Sequence, residues 1–266
     1  MNIGDRLSDY EARGFAEKDA IVNVLLEVAL HALFVAFPAT FVCFGGATLV
    51  IFFGSSRVSS DLDLLVGNES IPSVEELLAA LSAPLTQAAA VLRIPPPDLG
   101  VIESGADLHK LVVNAAEQRL FTIDVTRISG VIHSELADAP LALEAIPEIK
   151  ARIVTPNWML LQKAEAFLTR RILKTRDAFD IKFLMDDGAR LNETLIAHLS
   201  DGRASERLED PEFISKRIAD VGSKKCEAEL RPVLPVDVYR DLAKEDFEPL
   251  RAALRVLFAK WLNRAD

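Results

Sequence analysis

Cysteine is almost missing from this chain: Cys43 and Cys226 are the only two in 266 residues, and they lie far apart. Two distant thiols make neither a disulfide framework nor a zinc cluster, and they suit a reducing cytoplasm. Histidine is nearly as sparse, and His31, His109, His133 and His198 are scattered without the spacing of metal ligands. Positive charge is in deficit: the net charge of −10 argues against a surface that binds nucleic acid everywhere. A confined basic groove remains compatible, since phosphate contacts need only a patch. No uninterrupted apolar run approaches the roughly 20 residues of a membrane span. The nearest stretch, 20–53, is broken by Asn23, Glu27, His31, Pro38 and Gly45-Gly46 and reads as buried core. The N-terminus, Met-Asn-Ile-Gly-Asp-Arg, lacks the basic lead-in of a secretory signal. The expectation is a cytoplasmic protein with no membrane partner. Fixed-period repeats and low-complexity tails are missing too. What is left is an ordinary soluble composition, 50% hydrophobic and 26% charged, long enough for one large domain or two modest ones.

Local patterning divides the chain near residues 140–155. Before it, helices and strands alternate. Asp19 is placed to cap a helix from Ala20 to Phe37, which Pro38 ends. Thr40 to Phe44 reads as a short strand, Gly45-Gly46 as a turn into a helix over Ala47–Phe53, and Asp61 to Val66 as a second strand closed by Gly67-Asn68. Ser73 and Glu76 have capping-box spacing at the head of an Ala- and Leu-rich helix running to Leu92, ahead of the stiff Pro95-Pro96-Pro97 run. Strands are expected over Gly100–Ser104, Leu108–Asn114 and Leu120–Arg127. After the break the pattern is helical: Pro156 to Lys174, Arg176 to Asp187, Leu191 to Leu199, Glu212 to Gly222 and Phe247 to Leu262. Trp158 and Trp261 fall in these helices as core residues.

The densest chemistry lies between residues 45 and 63, where a glycine turn, Ser55-Ser56-Arg57, Ser59 and Asp61-Leu62-Asp63 follow one another. Strand residues i and i+2 share a face, so Asp61 and Asp63 project side by side. Adjacent carboxylates repel unless a cation lies between them, and Mg²⁺ or Mn²⁺ suits carboxylate, water and phosphate oxygens. Gly45 and Gly46 present backbone N–H groups at a helix start, a natural phosphate site that a ligand can approach closely. Arg57 either contacts phosphate or pairs with Asp61 to fix the loop. Asp124, on a separate strand, is a candidate third carboxylate, acting as metal ligand or as general base for an attacking hydroxyl. Lys163, from the helical half, is a candidate to neutralise triphosphate charge. These features would converge if the Thr40–Phe44 strand neighbours the Asp61 and Leu120 strands.

Gly-Gly-Ala-Thr-Leu, then Arg-Val-Ser-Ser-Asp-Leu-Asp, then Lys163 and Arg176-Asp177-Ala178-Phe179-Asp180, resembles the AbiEii/AbiGii-type nucleotidyltransferase toxin family of the DNA polymerase β-like superfamily. The resemblance runs from Phe41 to Leu184. It implies an α+β fold, with an N-terminal mixed-sheet nucleotidyltransferase domain over 1–150 and a C-terminal helical domain over 151–266 that completes the active site. It also implies that Asp61 and Asp63 bind a metal–nucleotide complex, with Lys163 and Asp180 completing the site. A toxin role beside a separately encoded antitoxin follows from the same likeness, with an NTP as co-substrate and RNA, specifically tRNA, as acceptor. The chain departs from the pattern at Ala47, where the family carries Thr or Ser, which weakens one phosphate hydrogen bond. Asp177 and Asp180 both fit the downstream acidic motif. An unbroken helix from Lys163 would put Asp177 nearer the lysine's face, while the family pattern favours Asp180.

The activity expected is therefore that of an EC 2.7.7-type nucleotidyltransferase: NMP moves from an NTP to a hydroxyl and pyrophosphate leaves. Two alternatives remain: transfer to a small molecule or a protein, which the acidic net charge mildly favours, and a non-catalytic nucleotide-binding module. The basic run Arg170, Arg171, Lys174 and Arg176 reads equally as a helix end with favourable dipole charges or as a grip on an RNA backbone.

Overall fold

In the computed structural model of the chain, the described residues are 2–67, 70–127, 133–141, 143 and 149–263. Asn68, expected to help close the second strand, lies outside them. The chain forms two compact units, Met1–Val154 and Thr155–Asp266.

The first unit contains α1 (Ile3–Ala12), α2 (Glu17–Ala36), β1 (Phe41–Phe44), α3 (Gly45–Phe53), β2 (Asp61–Val66), α4 (Val74–Leu92), β3 (Asp98–Ser104), β4 (Leu108–Ala115), β5 (Gln118–Arg127), β6 (Leu136–Pro140) and β7 (Lys150–Val154). Among the described residues, seven strands make one sheet in the order β3-β4-β5-β2-β1-β7-β6. The sheet is mixed. β2 runs parallel to β5 and β1 parallel to β7, while β1 and β2 are antiparallel. The strand that leads into the glycine turn thus neighbours the Asp61 strand, which neighbours the Asp124 strand.

Alternation along β2 and β5 decides which face holds the core. Leu62, Leu64, Ile123 and Val125 are fully buried and join residues of α2 and α4 in one hydrophobic cluster. The intervening Asp61, Asp63, Thr122 and Asp124 therefore share the opposite face, as a two-residue period requires. At α4, Ser73 and Glu76 form the reciprocal capping box expected from their spacing.

Several features differ from the sequence expectation. Asp19 is not the cap of α2: the helix begins at Glu17 with Ala16 as N-cap, leaving Asp19 in the first turn, where a carboxylate suits the helix dipole. α2 is also a continuous 20-residue helix with mean hydropathy 1.8, long and apolar enough by composition to cross a membrane. Its side chains instead supply the core, with 72% of that window buried within the protein. Strands β6 and β7 went unforeseen because each is five residues long and rich in polar residues or proline. β7 pairs with β1, so the sheet extends to Val154, within the 140–155 stretch where the sequence pattern changes.

α1, likewise unforeseen, is anchored by a buried ionic cluster. Arg6 Nε donates to Glu27 Oε2 at 2.8 Å, and Arg6 Nη2 and the Tyr10 hydroxyl both meet Glu27 Oε1. One turn further on, Arg13 Nη2 donates to the carbonyls of Val50 and Ser55, each at 2.9 Å. The N-terminal helix thereby holds the end of α3 and the start of the loop that follows.

The second unit consists, among its described residues, of α5 (Pro156–Thr169), α6 (Thr175–Asp186), α7 (Glu193–Asp201), α8 (Ser205–Leu208), α9 (Pro211–Ala219), α10 (Ser223–Leu230), α11 (Val236–Lys244) and α12 (Glu248–Leu262). Trp158 and Trp261 are buried, and Phe167 stacks on Phe258 with ring centroids 5.8 Å apart. The chain leaves helical geometry between α5 and α6: Arg170 is extended, at φ −60° and ψ 131°.

Candidate active site

The N-terminal site is a row across the sheet. Register places Lys110 of β4 opposite Asp124 of β5, Asp124 opposite Asp63 of β2, and Asp63 opposite Phe44 of β1. Neighbouring strands lie about 4.8 Å apart, so three strands carry charge side by side. Asp61 stands two residues before Asp63 on the same face, opposite Thr122.

Each carboxylate is held differently. Asp61 Oδ1 accepts a 2.8 Å hydrogen bond from the buried Thr122 hydroxyl. Asp124 Oδ2 accepts from Lys110 Nζ at 2.7 Å, while Asp124 Oδ1 is buried with no hydrogen-bond partner among the described residues. The hydrogen bond to Asp124 holds the Lys110 pKa above its ordinary value. Burial works against this, and the charges of Asp124, Asp61 and Asp63 add to the rise.

Asp63 meets the glycine turn. β1 ends at Phe44 and α3 begins at once with Gly45, whose φ is +77°. A Cβ on Gly45 would lie 2.1 Å from Asp63 Oδ2, so only glycine permits this approach. A Cβ on Gly46 would lie 2.6 Å from Arg57 Nη2 and 2.7 Å from Ser59 Oγ. The first glycine thus makes room for the metal-candidate carboxylate and the second for the loop. The N-cap residue of α3, Phe44, offers no side-chain acceptor to the helix start. Thr48 does not supply the hydroxyl lost at Ala47: it is buried and donates to the Phe44 carbonyl at 2.8 Å.

Ser55, Arg57 and Ser59 are buried and form hydrogen bonds within the loop itself. Ser55 Oγ accepts from Arg57 N, Arg57 Nη1 donates to the Val58 carbonyl at 2.9 Å, and Ser59 Oγ donates to the Asp61 carbonyl.

Gly45→Ala is expected to displace Asp63 as well as strain the backbone, which costs about 1–2 kcal/mol at positive φ. Gly54→Ala is the control: Gly54 has φ +78° and nothing within 4 Å of its Cβ position. Thermal unfolding of the two variants should show the larger loss at Gly45, and equal losses would refute the contact with Asp63.

Among the described residues no group of three or more His, Cys, Asp and Glu is arranged to hold a metal ion. Asp61 and Asp63 nevertheless suit a Mg²⁺ or Mn²⁺ ion shared with a nucleotide, which needs only one or two carboxylates beside phosphate and water. The orphaned Asp124 Oδ1 fits the same reading, because a buried carboxylate oxygen is costly without a partner. Lys110 and Thr122 were not foreseen. Counting back from the Ala116–Glu117 turn between β4 and β5 would have brought Lys110 to within one residue of Asp124.

In the helical unit, Lys163 of α5 faces two fully buried aspartates of α6. Its Nζ is 2.8 Å from Asp180 Oδ2 and 3.6 Å from Asp177 Oδ1. Arg170 Nε lies 3.1 Å from the other oxygen of Asp177. The break between α5 and α6 removes the single-helix geometry, and with it the reason for placing Asp177 nearer the lysine. Of the basic run, Arg170 pairs with Asp177 and Lys174 Nζ lies 3.8 Å from Glu229, while Arg171 is exposed.

The family described as "Nucleotidyl transferase AbiEii toxin, Type IV TA system" matches residues 29–256. Among solved structures, the chain is similar in fold to JHP933 from Helicobacter pylori. That likeness has a TM-score of 0.59 at 18% identity and covers 94% of this chain and 96% of the other. It is also similar to MenT4, a nucleotidyltransferase toxin from Mycobacterium tuberculosis H37Rv, with a TM-score of 0.57 at 16% identity, covering 100% of this chain and 91% of that one. No curated protein sequence matches it.

Proposed function

Because the chain belongs to the AbiEii nucleotidyltransferase toxin family, we propose that it is a metal-dependent enzyme of the EC 2.7.7 type, moving NMP from an NTP to an RNA hydroxyl, with tRNA as acceptor. The observation that carries this reading is the placement of Gly45 against Asp63, with Asp124 in register beside it. A phosphate chain laid along the start of α3 meets backbone N–H groups and, next to them, carboxylates suited to a divalent ion.

Asp61 and Asp63 would hold Mg²⁺ or Mn²⁺ together with the phosphates. When bound, the ion supplies charge stabilisation to the triphosphate and the departing pyrophosphate. Gly45 and Gly46 let the phosphates approach the backbone, and the loop carrying Ser55, Arg57 and Ser59 sets the position of that turn. The acceptor oxygen forms a bond to the α-phosphorus as the bond to the bridging α–β oxygen breaks. Asp124 Oδ1 either takes the acceptor's proton or joins the ion's ligands. In the helical unit, Lys163 supplies fixed positive charge for phosphate, and Asp180 holds its ammonium in place. Arg171, with Arg176, would contact an RNA backbone. A toxin of this class works in the cytoplasm against a separately encoded antitoxin.

The test is incubation of the protein with each α-labelled NTP, Mg²⁺ and total tRNA. Label on tRNA is the expected result. Label on protein or a small molecule alone would replace the RNA acceptor, and nucleotide binding with no transfer to any acceptor would overturn the enzymatic reading.

A further inference from the structure

Lys110 has no place in the transfer chemistry above, yet it occupies the end of the acidic row. Its ammonium takes one oxygen of Asp124 at 2.7 Å, and Asp124 stands in register beside Asp63 on the next strand. Three carboxylates on adjacent positions of one sheet face repel one another, and a cation beside them relieves that repulsion. Lysine suits a temporary occupant better than arginine would. It is a single charge on a flexible four-carbon stem, and this side chain remains 31% exposed, with solvent to move into.

We propose that Lys110 is the resident counter-ion of the divalent-cation site, holding the empty carboxylate row together and competing with the ion that fills it. The proposal rests on the metal-binding reading of Asp61 and Asp63. It explains the division of labour within Asp124: Oδ2 is engaged by the lysine, while Oδ1, buried and unpartnered, is left for the incoming ion. The same ammonium that stabilises the empty row weakens the loaded one, because two cations beside the same carboxylates repel.

Mn²⁺ titration without nucleotide, read by electron paramagnetic resonance of the free ion, tests this. Lys110→Met is expected to bind Mn²⁺ about tenfold more tightly than the parent, since removing one charge at a few ångströms changes the field by that order. It should also melt at lower temperature when empty and regain the difference when Mn²⁺ is added. Lys110→Arg, which keeps the charge, should resemble the parent. Unchanged or weaker Mn²⁺ affinity in a folded Lys110→Met chain overturns the proposal. Asp63→Asn in the same titration separates the two readings: if it leaves parent Mn²⁺ binding unchanged, the ion does not use this row and the metal reading falls first. A second measurement needs no destabilised variant. The side-chain ammonium signal of Lys110 in the parent, assigned by its loss in Lys110→Arg, should move when Mg²⁺ is added. A stationary signal, with Mg²⁺ bound through Asp63, also overturns the proposal.

Discussion

Asp63→Asn is expected to fold as the parent does and to transfer nucleotide at least ~10³-fold more slowly, a loss of about 4 kcal/mol of transition-state stabilisation. Asparagine keeps the volume that Gly45 accommodates, so the turn between β1 and α3 has no steric reason to shift. What is lost is charge at the point where β2, the glycine turn and Asp124 meet. Asp61 cannot substitute, because it stands two residues earlier on the strand, opposite Thr122 rather than Asp124. Single-turnover transfer by matched preparations, with unfolding temperatures compared, measures the effect. A rate within tenfold of the parent would remove Asp63 from the chemistry.

Glu27→Ala should cause the largest loss of stability, about 3–5 kcal/mol, because it leaves a buried guanidinium without its main partner. Arg6 would lose both oxygens of its buried partner, its pairing with Asp9 at 3.1 Å being to a half-exposed carboxylate, while Tyr10 would lose the acceptor for its hydroxyl. Burial and the adjoining Glu27 carboxylate raise the Tyr10 pKa well above its usual value, so the phenol remains a donor across the working pH range. The double variant Arg6→Met/Glu27→Leu should recover most of the loss, since apolar packing can replace a buried ion pair. Two-unit chains need not unfold in one step, so hydrogen exchange at the amides of α1 and α2 is the suitable reading. A consequence for the site follows: loosening α1 frees Arg13 from the Ser55 carbonyl, and exchange should also rise in the loop 54–60. Loss of protection in α1 alone, with that loop unchanged, would show that α1 does not support it.

What could be read without coordinates was local. The bounds of β2, the Ser73–Glu76 capping box and the shared face of Asp61 and Asp63 each follow from spacings of two or three residues, whose geometry is fixed by backbone period. The core assignment of Trp158 and Trp261 follows from position in apolar helical stretches. The ends of α2 were harder, because Ala16 caps it without a side-chain hydrogen bond and leaves no mark in sequence. β6 and β7 were harder still, since their pairing rather than their composition makes them strands.

Chemistry-bearing residue types, their order and their alternation are properties of the chain itself, and they were enough to mark Gly45, Asp61 and Asp63 as a nucleotide-site candidate. Strand register and chain reversal are not. Whether Lys110 reaches Asp124 depends on how β4 folds back on β5, and whether Lys163 meets Asp180 depends on the bend between α5 and α6. Both pairings form between segments more than a helical turn apart in sequence, where no local period constrains distance. Only packing of the sheet, and of the helices, brings those charges together.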